Sequence, residues 1–349
     1  MPSVLHILGR RGGGAEHYVD LLERGLSGFE HHRVEFKPAP THGAQATLSV
    51  LPAVTRRWLG LRRLVTRYDL VHAHGDLSSI VTVPLWRGRP VVTTTHGLNL
   101  LRRARGPRLT FARRGYRAVA GGARAVICTS EAEHHELSTV LGAANRRLVV
   151  VRNGIELPPS IEPTVRNAAR DALEIAGEEF VALFVGDLTE NKDPRTAVRA
   201  AAAVRAQEAP LTLLLAGEGP LLAELARDAN EHVRVLGRYP DVAHLLAAAD
   251  VFVMPSRREG LSYALLEAMG RGLPAVVSDG LGNPEAVGPA GVVFPVGDEG
   301  ALAAALHRLS RDPEERRNRG QALRNRVDRE LSLERFVRET RTVYEGALT

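Results

Sequence analysis

The chain has 349 residues, 44% of them hydrophobic and 25% charged, an ordinary globular composition. That length suits about two domains with sizeable cores. No stretch approaches the ~18 apolar residues that a membrane-spanning helix needs. The one cysteine, Cys128, lies in the apolar run 125–129. It cannot form an internal disulfide, so a buried structural thiol and a cytoplasmic, reducing location are expected. The opening MPSVLHILGRRGGG carries its arginines after its apolar run, which does not fit a secretory signal.

Charge divides unevenly along the chain. Residues 1–155 hold 23 basic and 10 acidic residues, and residues 156–349 hold 23 and 30. A basic half joined to an acidic half points to two bodies with different surroundings. The arginines lack interleaved aromatic residues for base stacking, which argues against nucleic acid as a partner. The Arg-rich segments 56–67 and 102–117 suit an anionic membrane surface instead, giving a location that is cytoplasmic or peripheral on the inner face of a membrane. Only two of the 46 basic residues are lysines, Lys37 and Lys192. In so arginine-rich a chain, a lysine can mark a place that requires a compact point charge.

Taken in order, residues 4–8 read as a strand, followed by Gly12-Gly13-Gly14 and a helix over 15–26 whose apolar residues recur at helical spacing. A strand at 34–36 and an Arg-decorated helix at 48–65 come next. The strand 70–73 leads into His74-Gly75, and residues 77–85 read as helix. The β-branched strand 90–95 ends in His96-Gly97. A strand at 125–129 precedes a helix at 131–141 with Ser130 as its N-cap. The strand 148–151 closes on Asn153-Gly154, and a proline-rich stretch, 156–163, serves as the linker candidate. The alternation then repeats. Strands at 180–185, 211–215, 233–236, 251–253, 275–277 and 292–294 are separated by helices, and a charged helical tail begins at 298.

Short apolar strands alternating with helices, twice over, predict two βαβ domains with parallel sheets, residues 1–155 and 156–349. Ligands in such sheets bind beyond the carboxyl ends of the strands. The glycines and polar residues of interest cluster at those ends. The Gly12–Gly14 loop could bring backbone N–H groups to an anion. It lacks the spacing of the dinucleotide fingerprint. His96 stands at a strand end, where it could bond a sugar hydroxyl or relay a proton. His72 and His74 bracket another strand end; they are expected on opposite faces, which argues against a metal pair. Lys192, between a strand and a helix, could neutralise a diphosphate.

The most informative stretch is PSRREGLSYALLEAMGRGLPAVVSDGLGNPE, residues 255–285. Its helix over 263–269 is apolar nearly all round, so it should be buried. Glu267 is the exception, and a buried carboxylate needs a partner. Its two oxygens match a ribose cis-diol. Glu259, in an accessible turn before the helix, could hold sugar hydroxyls. The amides of Gly260, Leu261, Ser262 and Tyr263 would face a phosphate at the helix start, with Ser262 as N-cap. There is no Asp-x-Asp pair for a metal diphosphate, no Walker A string and no zinc-type spacing of Cys and His.

The segments GGAEHYVDLLERGL, VHAHG, TTTHG, VVVRNGI, VGDLTENKDP, AGEGP and EGLSYALLEAMGRGLPAVVSDGLGNPE resemble those of a family 4 glycosyltransferase, with its E-x7-E spacing at Glu259 and Glu267. The resemblance covers nearly the whole length. It implies the GT-B fold, two Rossmann-like domains whose sheets face each other across a cleft, with the last helix packing back on the N-terminal domain. It implies transfer of a sugar from a nucleotide-sugar, most often a UDP-sugar, to a hydroxyl of a glycan, lipid-linked or small-molecule acceptor. Retention of anomeric configuration and no metal or other cofactor are part of that implication. By position Glu267 would hold the ribose, Lys192 the diphosphate, and Glu259 and His96 the donor sugar. Gly13 and Gly14 would lie near phosphate and acceptor, and Gly260, Leu261 and Ser262 would bind donor phosphate. One position departs from the pattern. Asp187 replaces the arginine that usually shares the diphosphate. Either Arg152, Arg195, Arg257 or Arg258 substitutes for it, or the chain is a degenerate partner subunit with weak donor binding.

Overall fold

The continuous apolar runs form parallel strands, because a strand covered by helices on both faces has no polar side. A computed structural model describes residues 1–9, 13–35, 60–82, 86, 88–142, 146–207 and 209–349. Gly12, Phe36, residues 48–59 of the predicted second helix, residues 83–85 of the third and residues 56–59 of the first basic segment lie outside the described residues. Contacts divide the chain into two units: Met1–Asn153 together with Leu333–Thr349, and Gly154–Ser332.

The first unit contains β1 (Ser3–Leu8), β2 (Glu30–Glu35), β3 (Leu70–His74), β4 (Val91–Thr94), β5 (Ala125–Cys128) and β6 (Leu148–Val150). They form one parallel sheet in the order β2-β1-β3-β4-β5-β6. Sequence reading placed these strands to within two residues except β2, whose sequence EHHRVE is largely polar. An edge strand tolerates that composition, so no apolar run announced it. The helix Glu131–Leu141 starts as expected, with the Ser130 hydroxyl accepting from the Glu133 amide at 3.2 Å. The helix Gly14–Gly25 buries Tyr18, Val19, Leu21 and Leu22. The C-terminal helix Leu333–Leu348 returns to this unit, where Arg341 donates to the Ser27 carbonyl at 2.7 Å. Cys128 is a buried free thiol whose pKa burial pushes up, so it is an inert core residue.

The second unit contains β7 (Phe180–Val185), β8 (Leu211–Ala216), β9 (Val233–Gly237), β10 (Val251–Met254), β11 (Ala275–Ser278) and β12 (Val292–Phe294). Its parallel sheet runs β12-β11-β10-β7-β8-β9. The loops after β7 and β8 touch backbone to backbone. A Cβ on Gly217 would lie 1.9 Å from the Gly186 carbonyl oxygen, and Gly217 has φ +153°, so only glycine fits. The proline-rich stretch is packed on this unit, with Arg324 donating to the Pro158 carbonyl at 2.8 Å.

Each sheet reverses its strand order once, between β1 and β3 in the first unit and between β7 and β10 in the second. Ligands of open α/β sheets bind at such points, beyond the carboxyl ends of the strands. Among the described residues no helix is long and apolar enough to cross a membrane.

Candidate active site

The switch point of the second sheet carries the two residues singled out at its strand ends. Lys192 follows β7 and Glu259 follows β10. They form an ion pair, Nζ to Oε1 at 2.5 Å, with side chains 20% and 11% exposed. Sequence reading put Glu259 in an accessible turn; it is instead largely covered, because its loop is pinned on both sides. The Glu259 amide donates to the Leu281 carbonyl at 2.8 Å. The Asn191 side chain donates to the Arg258 carbonyl at 2.9 Å, and the Arg257 amide donates to the Asn191 carbonyl at 2.8 Å. The loops after β7, β10 and β11 are thereby tied together.

The helix Tyr263–Gly270 follows immediately, burying Tyr263, Leu265, Leu266, Ala268 and Met269 and packing against the helix Pro313–Glu330. Gly260 and Leu261 are buried ahead of it. Ser262 occupies the cap position with extended backbone, but its hydroxyl makes no capping bond to the helix. The side-chain role expected of it is corrected; what its position offers is the helix start itself, with amides and dipole favouring an anion. Glu267 is partly buried, and burial pushes its carboxyl pKa up while Arg271 pulls it back. No hydrogen bond to its carboxylate is present among the described residues, so both oxygens remain for a ligand's hydroxyls.

Asp187 is exposed on the loop after β7. Of the four arginines considered as substitutes, Arg195 is held by Glu224 at 2.5 Å and Glu190 at 2.7 Å. Arg152 belongs to the first unit and pairs with Glu131 at 3.2 Å. Arg258 contributes its carbonyl to the Asn191 clasp. Arg257 sits beside the Lys192 loop, with its side chain 52% exposed and paired to Asp193 at 2.8 Å. Arg257 and Arg258 thus lie on the loop tied to the Lys192 loop.

In the first unit Gly13 adopts φ +84° at the cap of the helix Gly14–Gly25, and a Cβ there would meet nothing within 4 Å. Gly14 is the first residue of that helix. His96 follows β4, half-buried, with its imidazole pKa pushed down to about 3 by burial. It is the end of a larger cluster that sequence reading missed. His72 and His74 share a face, with ring centroids 4.0 Å apart, so the expectation of opposite faces is overturned. Residues two apart on a strand point the same way. The register of β1 on β3 sets His6 beside His72.

These rings are hydrogen-bonded in a row. His31 Nδ1 meets His6 Nε2 at 2.9 Å, His6 Nδ1 meets His74 Nε2 at 2.9 Å, and His74 Nδ1 meets His96 Nε2 at 3.1 Å. His72 lies alongside, with Tyr344 at 2.6 Å and Thr94 at 2.7 Å on its two nitrogens. Burial pulls the His6, His72 and His74 pKa values well below 6.5, so these rings are neutral. His6, His72 and His74 are the group among the described residues whose ligand atoms, within 4.8 Å of one another, could hold a metal. Each of those nitrogens already has a hydrogen-bond partner. The signal that could have found the row was the alternation in HAH together with His6 in the neighbouring strand.

Residues 3–157 match the model of Glycosyltransferase Family 4, and residues 179–312 match that of Glycosyl transferases group 1. The D-inositol 3-phosphate glycosyltransferase of Paenarthrobacter aurescens is 30% identical over 281 residues, 74% of this chain and 68% of its own length. The chain belongs to the family 4 glycosyltransferases. The D-inositol 3-phosphate glycosyltransferase 1 of Catenulispora acidiphila is 31% identical over 281 residues, 73% of this family 4 chain and 66% of its own length. Among solved structures, that of Anabaena HepE in complex with UDP superposes with a TM-score of 0.79 at 18% identity, covering 99% of this chain and 100% of that one. At that identity the likeness is one of fold, and the fold is GT-B.

Proposed function

We propose that this glycosyltransferase moves a sugar from a UDP-sugar to an acceptor hydroxyl, with retention of configuration and without a metal ion. The observation that carries the reading is the Lys192–Glu259 pair at the β7/β10 switch point, with the start of the helix Tyr263–Gly270 directly behind it. A diphosphate would compete with Glu259 for the lysine, releasing the glutamate toward the hydroxyls of the donor sugar. Arg257 would leave Asp193 to share the phosphate charge, in place of the arginine that Asp187 replaces. The helix-start amides of Gly260, Leu261 and Ser262 complete the anion site, and Glu267 accepts from the ribose cis-diol. Gly13, Gly14 and His96 keep the phosphate, acceptor and sugar roles that the family resemblance implies. Charge on departing UDP is thus met by fixed cations and dipoles. Structures of HepE with UDP and with UDP-glucose support the choice of nucleotide.

A mass-spectrometric screen of UDP- and GDP-sugars against a panel of hydroxyl acceptors tests this. Wild type should turn over a UDP-sugar. Glu267→Ala, losing two charge-assisted hydrogen bonds, should be slower by roughly 10²–10³-fold. Equal and negligible turnover by both proteins from every donor would refute the proposal.

The acceptor side is proposed to work at an anionic membrane surface. The helix Pro107–Gly122 exposes Arg108, Arg113, Arg114 and Arg117 around Phe111, which is 55% exposed. Each such arginine is worth about 1 kcal/mol near anionic lipid. Co-sedimentation with phosphatidylserine vesicles should therefore fall steeply with salt and in Arg113→Glu/Arg114→Glu. Sedimentation indifferent to lipid charge would rule the surface out.

A further inference from the structure

The histidine row has a direction. A neutral imidazole has one N–H and one bare nitrogen, so each ring donates on one side and accepts on the other. At the far end, His31 Nε2 faces the Leu26 carbonyl oxygen at 3.4 Å. A carbonyl oxygen only accepts, so the His31 proton sits on Nε2 and its Nδ1 is bare. His6 must then donate from Nε2, leaving its own Nδ1 to accept from His74 Nε2. His74 Nδ1 in turn accepts from His96 Nε2. The opposite direction would set the bare Nε2 of His31 against the Leu26 oxygen. A break within the row would set two lone pairs or two protons face to face and forfeit a buried hydrogen bond.

We propose that this row is a tautomer lock, which holds His96 protonated on Nε2 and bare on Nδ1 and so makes Nδ1 an acceptor for a neutral hydroxyl. His31, His6 and His74 are positioning residues, acting on the ligand only through His96. The specificity is chemical. A bare imidazole nitrogen takes a hydroxyl proton and repels a phosphate oxygen, since both would present lone pairs. A chain of neutral rings brings no positive charge to offset that repulsion. His96 Nδ1 has no hydrogen-bond partner among the described residues, and the ring is partly exposed after β4. His72 does not enter the row, because Tyr344 and Thr94 occupy both of its nitrogens. Hydrogen bonds in such a chain polarise one another, so a hydroxyl bound at His96 is felt as far as Leu26. That the hydroxyl belongs to a donor sugar rests on the function proposed above; the tautomer does not.

The test is long-range proton–nitrogen correlation NMR on the full chain carrying ¹⁵N-histidine at pH 7.5, with signals assigned through His96→Gln and His31→Gln. All four rings should be Nε2–H tautomers in wild type, and UDP-glucose should perturb the His96 Nδ1 signal. His31→Phe removes the anchor, and His96 should then populate both tautomers. His31→Gln, whose amide can accept from His6 and donate to Leu26, should restore the single form. Turnover of UDP-glucose should fall roughly 3–10-fold in His31→Phe, the scale of one hydrogen bond, and recover in His31→Gln. An Nδ1–H His96 in wild type overturns the lock, whatever the variants do. So does stoichiometric zinc or nickel in the purified protein whose chelation shifts the His6 and His74 signals. A locked His96 that ignores UDP-glucose upholds the lock and counts against the proposed donor instead.

Discussion

Acidification from pH 7 to pH 5 should destabilise the first unit, and its buried histidines are the reason. His6, His72, His74 and His96 have folded-state pKa values depressed below the unfolded value near 6.5. A depressed group contributes stability that is present above its unfolded pKa and lost as pH falls, because the unfolded chain takes up protons that the folded one refuses. His96, with its pKa at about 3, stays neutral at pH 5 and costs about 2 kcal/mol relative to pH 7, and the depressed His6, His72 and His74 act in the same direction. Asp76 opposes this. Burial raises its carboxyl to about 6, so the folded state binds that proton more readily and gains about 1 kcal/mol over the same range. Four depressed imidazoles outweigh one raised carboxyl, so the net effect of acidification is a loss of stability. Trp86 is buried in this unit, so its fluorescence reports on it. Loss of native emission as pH falls through the histidine range, with net uptake of protons, is the expected result. Native emission persisting to pH 4 would mean that the rings are not buried and neutral.

Lys192→Ala should have the largest effect on turnover. The lysine stands at the switch point of the second unit, paired with Glu259, and it is one of only two lysines in the chain. Removing a preorganised charge from a site where negative charge develops costs about 10²–10³ in kcat. Glu259 would also lose its ion-pair partner. The pair retains some solvent access, so the accompanying loss of stability should be modest, roughly 1–3 kcal/mol. Lys192→Arg should restore stability better than turnover, because a planar, longer guanidinium cannot occupy the position of a compact ammonium. Initial rates with the UDP-sugar found in the donor screen, set beside thermal melts, separate the two effects. Unchanged rates in Lys192→Ala would remove the lysine from the chemistry.

Much of the fold was legible because parallel strands announce themselves as apolar runs. β2 was misplaced because an edge strand needs no such run. The candidate site was legible one residue at a time: Lys192, Glu259, Glu267 and His96 each stood at a strand end or in an apolar helix where their charge or polarity was out of place. Their pairing was not legible. The Lys192–Glu259 contact depends on β10 lying next to β7, although two strands intervene in sequence. The same holds for Arg257, whose neighbour Asp193 arrives from a different loop. The histidine row needed both the shared face of His72 and His74 and the register of β1 on β3, and a misjudged face hid it. Asp187 raised doubt about diphosphate binding that the sequence left open, since only the structure shows which nearby arginines are already committed.

Calorimetric titration of UDP into the full chain, wild type beside Lys192→Ala, is the most direct test that the β7/β10 switch point is the nucleotide site. One UDP should bind per wild-type chain, and binding should weaken by at least about 10²-fold in the variant. Equal binding by the two proteins, or none by wild type, would contradict that assignment.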